Sequence, residues 1–306
     1  MYCIGIDGGG TKSKLVAVDE DLNVIGRHIG KATNPTSVPN ETLFENICNL
    51  ITEFNVMTNT SLKDCKALCL GTAGVDGNRH VAPLEQIFRA IGFEGKLKIV
   101  ADAVIAIMAK TKGEAGIVII SGTGSIGYAV DEKGQFSRCG GWGAYIDDCG
   151  SGYKIGMDAV RYALMAFDGR GKKTVLSEML INHFGLQRLD EIIPHIYGTV
   201  STKTVFDKAM IAGLSTLVST AVKAGDEIAI SIEKAAAEDL ADIAKTLIYR
   251  NGLYEHSVVL SGSILLNNIN IQRRFTEIVM EAYPKMRITP LDEDAEMGAV
   301  YLAMKL

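Results

Sequence analysis

The sequence predicts an α/β protein of two domains. Its 306 residues exceed the usual size of one domain, and about 150 residues per domain leaves room for two. The composition is that of an ordinary globular protein, with 47% hydrophobic residues, 22% charged residues, 32 Gly and 6 Pro. A pattern of strand, glycine turn and strand also occurs twice along the chain, which indicates one copy in each domain.

The two copies of this pattern contain the segments "GTKSKLVAVDE" from Gly10 and "GTGSIGYAVDE" from Gly122. They share seven residues, all displaced by 112 positions. Each copy follows an apolar run, alternates like a strand and ends in a turn-like "DEDLN" or "DEKGQ". The repeated unit is therefore strand, glycine turn, strand and hairpin.

The remaining elements follow from hydrophobic periodicity. Period-2 patterns predict strands at 2–7, 14–19, 67–71, 97–101, 116–121, 126–131 and 257–261. Helical periodicity predicts helices at 40–54, 80–93, 101–111, 151–167, 229–252 and 294–304. No low-complexity linker separates the domains, so the repeat alone predicts a boundary near residues 112–115.

Neither glycine turn fits the common nucleotide-binding motifs. Thr11 lies between Gly10 and Lys12, and a strand follows, whereas a Walker loop needs Gly-Lys-Ser/Thr opening a helix. Residues 122–127 match G-x-G-x-x-G, but again a strand pattern follows instead of a helix. A glycine turn between antiparallel strands can still direct backbone N–H groups at a phosphate. Turn geometry alone remains the alternative for either copy, and their repetition favours phosphate binding.

Charge and cysteine content restrict the partners. The net charge is -5 and no basic run could follow a nucleic-acid backbone, so nucleic acid is not expected. No segment approaches the roughly 18 apolar residues of a membrane helix, and the start lacks a signal sequence, which predicts a cytoplasmic protein without a membrane partner. Six irregularly spaced cysteines suggest buried thiols rather than a disulfide framework.

Several segments together resemble one family along the whole chain. They are "GIDGGGTKS" at 5–13, "ATNP" at 32–35, "GTAGVD" at 71–76, "ADAVIA" at 101–106, "ISGTGSIGY" at 120–128, "CGGWGAYIDDCGS" at 139–151, "VVLSGSILLNN" at 258–268 and "DAEMGAVYLA" at 294–303. The chain thus resembles the BadF/BadG/BcrA/BcrD ATPase family, within it the N-acetylglucosamine kinases, and more widely the actin, hexokinase and Hsp70 superfamily.

The resemblance implies a two-domain actin-like (ribonuclease H-like) fold, in which each domain is a mixed sheet flanked by helices. It implies a first domain of residues 1–113 plus 290–306 and a second of 114–289. The domains of such proteins close over ATP and a sugar. The ATP-binding residues implied are Gly9, Gly10, Thr11, Lys12, Gly122, Thr123, Gly124, Ser125, Gly262 and Ser263.

The same resemblance assigns two aspartates to phosphoryl transfer. Asp102 matches the family's catalytic base, which would accept the proton of the attacking sugar hydroxyl. For Asp102 taken alone, a helix N-cap is the alternative. Asp7, ahead of the first turn, would hold Mg²⁺ largely through water.

Sugar recognition is implied for four positions: Asn34, Gly140, Gly141 and Asp148. Asn and Asp suit hydroxyl groups, although a turn before Pro35 and a solvated acid pair at 147–148 are the alternatives. The expected substrate is N-acetylglucosamine and possibly N-acetylmuramic acid, as in cell-wall amino-sugar salvage, with glucosamine as another option. Asp147 and Cys149 stand where the family's amino-sugar kinases commonly have Gly and Glu, which leaves the sugar open.

Two other functions are also compatible with the sequence. The family includes activators of 2-hydroxyacyl-CoA dehydratases, whose dimers share a [4Fe–4S] cluster, and Cys139 and Cys149 flank "GGWGAYIDD". A regulator that has lost catalysis is the third possibility, although it would not need Asp102. For the kinase we expect a homodimer.

Overall fold

The computed structural model describes residues 1–75, 80–197, 207–292 and 294–306. Asp76 of the quoted "GTAGVD" segment lies outside the described residues. The chain forms two five-stranded sheets flanked by helices, so the predicted α/β class is confirmed. It divides into a first unit, Met1–Val118, Ala129–Phe136 and Leu291–Leu306, and a second unit, Ile119–Tyr128 and Ser137–Pro290. The domain boundaries implied by the resemblance stay a prediction.

The elements are numbered in chain order. The strands are β1 (Tyr2–Gly8), β2 (Lys12–Val18), β3 (Val24–Lys31), β4 (Cys65–Thr72), β5 (Lys96–Val100), β6 (Gly116–Ser121), β7 (Ser125–Val130), β8 (Phe136–Cys139), β9 (Ser257–Ser261) and β10 (Arg287–Pro290). The helices are α1 (Asn40–Thr58), α2 (Val81–Ala90), α3 (Asp102–Lys110), α4 (Gly152–Phe167), α5 (Leu176–Phe184), α6 (Ile193–Tyr197), α7 (Lys208–Gly213), α8 (Ser215–Lys223), α9 (Glu227–Asn251), α10 (Ser263–Asn267), α11 (Ile269–Ala282) and α12 (Ala295–Met304).

The sequence repeat is a repeat of topology. The first sheet has the order β3-β2-β1-β4-β5, and the second has the order β8-β7-β6-β9-β10, which is the same arrangement. The hairpin loops also match, because Asp19 Oδ1 accepts the N–H groups of Asp21 and Asn23. Asp131, 112 positions later, accepts the N–H groups of Lys133 and Gln135. The predicted unit of two strands, glycine turn and hairpin is therefore confirmed.

In the first unit, helices cover both faces of the sheet. Gly30 of β3 packs against Leu50 of α1 on one face, while Gly5 of β1 packs against α12 on the other. A Cβ at Gly5 would lie 2.3 Å from the carbonyl oxygen of Glu296, and one at Gly298 would lie 1.8 Å from that of Ile105 in α3. These two glycines let α12 approach β1 and α3 more closely than any side chain would allow.

In the second unit, the long helix α9 supports the loop that joins β8 to α4. Asp226 caps the start of α9, and Gly252, with φ of 68°, ends it. Ile243 of α9 contacts Gly140, while Leu240 contacts Gly150. The loop that carries Gly140, Gly141 and Asp148 therefore packs against one long helix.

Several elements were absent from the predicted set: β3, β8, β10, α5, α6, α7, α8, α10 and α11. β3, "VIGRHIGK", contains two glycines and is exposed along much of its length, so its hydrophobic alternation is weak. α6, α7 and α10 are only five or six residues long, too short for a period to be read. Among the described helices, none combines the length and apolar character needed to cross a bilayer.

Candidate functional site

The first glycine turn joins β1 to β2 and is exposed from Gly10 to Lys12. β1 and β2 pair antiparallel up to Gly8 and Ser13, so the residues between them must reverse the chain. Thr72 Oγ1 donates a hydrogen bond to the Gly8 carbonyl at 2.8 Å. Among the described residues, the N–H groups of Gly10 and Thr11 have no backbone acceptor. The turn thus presents N–H groups of the kind that bind phosphate oxygens.

The "ATNP" segment packs against this turn. Thr33 donates its N–H to the Gly9 carbonyl at 3.3 Å, and its hydroxyl lies 2.6 Å from the buried Ser13 hydroxyl. Asn34 is buried, and its Oδ1 accepts hydrogen bonds from the N–H and hydroxyl groups of Thr36. Its amide nitrogen lies 3.9 Å from the position a Cβ of Gly10 would occupy. Asn34 therefore makes the local hydrogen bonds of a turn residue, as the alternative expected. Its amide nitrogen nevertheless lies beside the first glycine turn.

A group of acidic side chains surrounds Asp7 in the first unit. Asp7 faces the α12 side of the sheet, as does Lys14, its partner in the strand register. The pKa of Asp7 is raised to about 6, mainly by burial, then by the charges of Glu296 and Asp102, while Lys14 lowers it. Two like charges beside a buried carboxylate destabilise its charged form. A cation placed here would relieve that repulsion.

Glu296 is the buried acid of this group. Only 4% of it is exposed, and its Oε1 accepts a hydrogen bond from Arg27 at 2.9 Å. Its Oε2 lies 3.9 Å from Lys14 Nζ and has no hydrogen-bond partner among the described residues. Sequence reasoning missed Glu296, although an acid within the apolar pattern of α12 was a usable signal.

Asp102 begins α3 and has an exposed side chain. Ala101 occupies the N-cap position, so Asp102 is the first helical residue and not the cap itself. Its Oδ1 accepts the N–H of Ala103 at 2.8 Å. Gly298 lets α3 pack closely on α12, and Gly5 lets α12 pack closely on β1. This packing sets the position of Asp102 at the start of α3 relative to Asp7 in β1.

The second glycine turn, residues 122–125 in the second unit, is fastened to the start of α4. Gly152 and Tyr153 donate their N–H groups to the carbonyls of Gly122 and Thr123, at 2.8 and 3.3 Å. Buried Ser125 donates its hydroxyl to the Cys149 carbonyl at 2.6 Å. In the described part of the chain, the N–H groups of Thr123 and Gly124 have no backbone acceptor. As in the first turn, carbonyl groups accept hydrogen bonds from the surrounding chain while N–H groups are left without a backbone acceptor among the described residues.

Gly262 and Ser263 lie beside the second turn. Gly262 adopts φ of 86° and ψ of 153°, a conformation essentially restricted to glycine. A Cβ there would lie 2.3 Å from the Ser121 carbonyl oxygen. Ser263 N is 3.8 Å from the Cβ position of Gly122. The close approach of these backbones brings together two ATP-binding segments implied by the resemblance.

Asp148 and Lys208 form an ion pair at the second turn. Lys208 Nζ lies 2.5 Å from Asp148 Oδ2, and the Asp148 side chain is only 5% exposed. A Cβ at Gly124 would lie 3.0 Å from that nitrogen and 3.3 Å from that oxygen. Asp148 therefore lies directly beside the second glycine turn. Lys208 was missed because it follows no motif in the sequence.

Gly140 and Gly141 both adopt positive φ, of 72° and 71°. Their carbonyl groups accept hydrogen bonds from Arg138 Nη2 at 3.1 and 2.9 Å, and the Arg138 guanidinium lies over the Trp142 ring. A Cβ at Gly141 would overlap Ile126. The loop is thus closely packed at Gly141, and Arg138 donates a hydrogen bond to each of the Gly140 and Gly141 carbonyl groups.

Cys139 and Cys149 are free thiols, each of intermediate exposure. Burial raises the pKa of both thiols, which disfavours the thiolate form that a metal cluster binds. Among the described residues, no group of three or more His, Cys, Asp or Glu side chains is arranged to hold a metal ion.

A family model and the sequences of known proteins match this chain along nearly its whole length. The model of the BadF/BadG/BcrA/BcrD ATPase family matches residues 4–303. An N-acetylmuramic acid/N-acetylglucosamine kinase of Clostridium acetobutylicum is 35% identical over 304 residues, covering 99% of this chain and 98% of the relative. An N-acetyl-D-glucosamine kinase of Dictyostelium discoideum is 32% identical over 313 residues, covering 98% and 97%.

The fold is also found among solved structures. A crystal structure from Chromobacterium violaceum, described as that of an N-acetylglucosamine kinase candidate, covers 98% of both chains with a TM-score of 0.66 and 23% identity. That likeness establishes the fold, and the predicted actin-like class is confirmed. Since the family model spans nearly the whole chain and two relatives exceed 30% identity from end to end, the protein belongs to the BadF/BadG/BcrA/BcrD ATPase family.

Proposed function

We propose that the protein is an ATP-dependent amino-sugar kinase that phosphorylates a hydroxyl group of N-acetylglucosamine and also of N-acetylmuramic acid. The observation that carries the proposal is the electrostatic interaction in the first unit between Asp102, which is exposed, and Asp7, which is half-buried at the end of the strand that leads into the first glycine turn. The names of the two relatives, both at least 32% identical, support this substrate class.

Asp102 is the proposed general base. Its carboxylate would accept the proton of the sugar hydroxyl while that oxygen attacks the γ-phosphorus and the bond to the departing ADP oxygen breaks. Base catalysis of this kind is worth about 10²- to 10⁴-fold. Positioning and charge neutralisation supply most of the remainder. The exposure of Asp102 suits a group that must meet a substrate from solution.

Asp7 is the proposed magnesium residue. Mg²⁺ prefers oxygen ligands and keeps several waters, so one carboxylate with charged neighbours is sufficient. The fit rests on the chemistry of the site, because the charges of Glu296 and Asp102 add to burial in raising the pKa of Asp7, and a cation there would offset them. When bound, the ion would neutralise phosphate charge. Lys14 and Arg27 meanwhile form ion pairs with Glu296.

The remaining predicted residues take binding roles in this proposal. The N–H groups of the two glycine turns, with Lys12, would bind the phosphates of ATP, and Gly262 and Ser263 would lie near adenosine. Asn34, Asp148 and the Gly140–Gly141 backbone would bind the sugar. We further propose a cytoplasmic homodimer that salvages cell-wall amino sugars and has no nucleic-acid or membrane partner.

The test is release of ADP, coupled to an optical readout, from purified protein with ATP and Mg²⁺. The sugars are N-acetylglucosamine, N-acetylmuramic acid, glucosamine, glucose or none. We expect release that depends on an N-acetylated amino sugar. Dependence on glucosamine alone would change the sugar and retain the kinase.

Release independent of every sugar would contradict the proposal and point to a dehydratase activator, for which anaerobic iron and acid-labile sulfide would then be measured. No release under any condition would point to a regulator without catalysis. The sugar arms and the iron content therefore separate the three functions considered.

A further inference from the structure

We propose that Lys208 binds the terminal phosphates of the nucleotide at the second glycine turn, and that Asp148 positions its ammonium group there. This proposal rests on the proposed function, since it needs ATP as the substrate. It assigns a residue that neither the sequence pattern nor the resemblance identified. The charge, the burial and the contacts of the pair carry it.

The ammonium group of Lys208 lies beside the second glycine turn. The position that a Cβ of Gly124 would occupy is 3.0 Å from Lys208 Nζ, so the nitrogen lies over the turn itself. The N–H groups of Thr123 and Gly124 have no backbone acceptor in the described chain. An ammonium group beside two N–H groups that lack a backbone acceptor favours a ligand with negatively charged oxygens.

The ion pair buries its carboxylate and leaves its ammonium group partly exposed. Asp148 is 5% exposed on its side chain while Lys208 is 35% exposed. Desolvating a carboxylate for an ion pair seldom stabilises a fold more than apolar packing would. A buried acid holding a partly exposed cation over a turn is better explained by positioning, because a lysine side chain alone has four flexible bonds.

Asp148 contacts Lys208 through one of its two carboxylate oxygens. Its Oδ2 is engaged by Lys208, so the sugar contact in the proposed function falls to its other oxygen. One carboxylate would then touch both the sugar and the residue that binds phosphate. Asp148 becomes a positioning residue for Lys208 in addition to a sugar residue, which links the occupancy of the two sites.

The experiment measures binding of ATP, ADP and AMP to the full chain by calorimetry, with Mg²⁺ and without sugar. We expect Lys208→Gln to weaken ATP and ADP binding about 10- to 100-fold, the loss of one charge-assisted hydrogen bond. AMP, which lacks the β- and γ-phosphates, should bind within about twofold of wild type. Lys208→Arg should recover part of the ATP affinity.

Lys245→Gln is the matched control. Lys245 has the same 35% exposure and pairs with Asp242 at 2.7 Å on α9. It should leave all three affinities unchanged. If Lys208→Gln does not fold, Lys208→Met retains the aliphatic stem and gives the same comparison.

Equal weakening of ATP and AMP would show a structural role and overturn the proposal, as would unchanged ATP binding or a wild type that binds no nucleotide. Failure of the proposed function gives a different result from failure of the Lys208 proposal. A wild type that binds ATP without sugar-dependent ADP release refutes the sugar kinase, while the difference between ATP and AMP still tests Lys208.

Discussion

The two glycine turns share one backbone design and differ in the charges placed beside them. Both join the first two strands of a repeated sheet, and both are held by a buried serine, Ser13 to Thr33 and Ser125 to Cys149. The first turn follows Asp7, which Glu296 and Asp102 surround with negative charge. The second has Lys208 over it, held by Asp148.

The difference shows how a duplicated motif acquires two roles. Hairpin geometry supplies N–H groups in both copies, because it depends only on local residues. The charges come from elements outside the repeat, Glu296 from α12 and Lys208 from α7. We infer that the carboxylates beside the first, acidic turn serve a metal ion and proton transfer, while Lys208 beside the second, basic turn adds positive charge for the phosphates that both turns bind. The following variants test that division, beginning with the largest expected effect.

Asp102→Asn tests the acidic turn most directly. We expect sugar-dependent ADP release to fall about 10²- to 10⁴-fold, because the amide cannot accept the hydroxyl proton. Calorimetric ATP affinity should change little. Glu41→Gln, an exposed acid in the first turn of α1, is the control and should retain full activity. Wild-type turnover by Asp102→Asn would remove Asp102 from the role of base.

Gly262→Ala tests the backbone beside the basic turn. The added Cβ would meet the Ser121 carbonyl at 2.3 Å in a glycine-only conformation, so we expect unfolding free energy to drop about 2 to 4 kcal/mol. Gly252→Ala, with φ of 68° and open space, should lose only about 1 kcal/mol. Urea denaturation measures both. Equal losses would mean that steric contact with Ser121 contributes nothing.

Asp7→Asn tests the charge around the acidic turn through pH. The pKa of Asp7 is about 6 in the folded state, above its ordinary value of 3.8, so between about pH 4 and 6 the folded state binds more protons and wild-type stability falls as pH rises. Roughly two pKa units correspond to about 3 kcal/mol at most. Without Mg²⁺, the variant should therefore be the more stable protein at pH 7.5 and equal to wild type at pH 4.

Urea denaturation at both pH values measures this difference. Sugar phosphorylation by Asp7→Asn should be lost at the same time, since the metal carboxylate is gone. A stability difference that does not depend on pH would contradict the charge argument.

Asn34→Ala tests the segment packed on the acidic turn and has the smallest expected effect. Loss of the amide nitrogen should raise KM for the sugar about tenfold, as for one hydrogen bond, with KM for ATP nearly unchanged. Thr36→Val is the control, because it removes the hydroxyl bond to Asn34 Oδ1 and retains the amide. A larger rise in KM for ATP would place Asn34 outside the sugar pocket.

Much of the fold could be predicted because its signals are local. The repeat at Gly10 and Gly122 fixed the two hairpins and excluded the Walker and dinucleotide motifs, since strands follow both turns. Helices α1, α2, α3, α4, α9 and α12 have regular periodicity and were predicted. The short helices and the edge strands β3, β8 and β10 were not, because packing rather than propensity stabilises short elements.

The amino-acid sequence by itself determined the α/β class and the duplicated turns through local patterns, and its resemblance to the family supplied the candidate positions Asp7, Asp102 and Asn34. Only the tertiary structure decided what surrounds them. Glu296 reaches Asp7 because Gly5 lets α12 lie on β1, and Lys208 reaches Gly124 across 84 residues of chain. The electrostatic environment of a site depends on such distant contacts, since charge acts through space and not along the sequence.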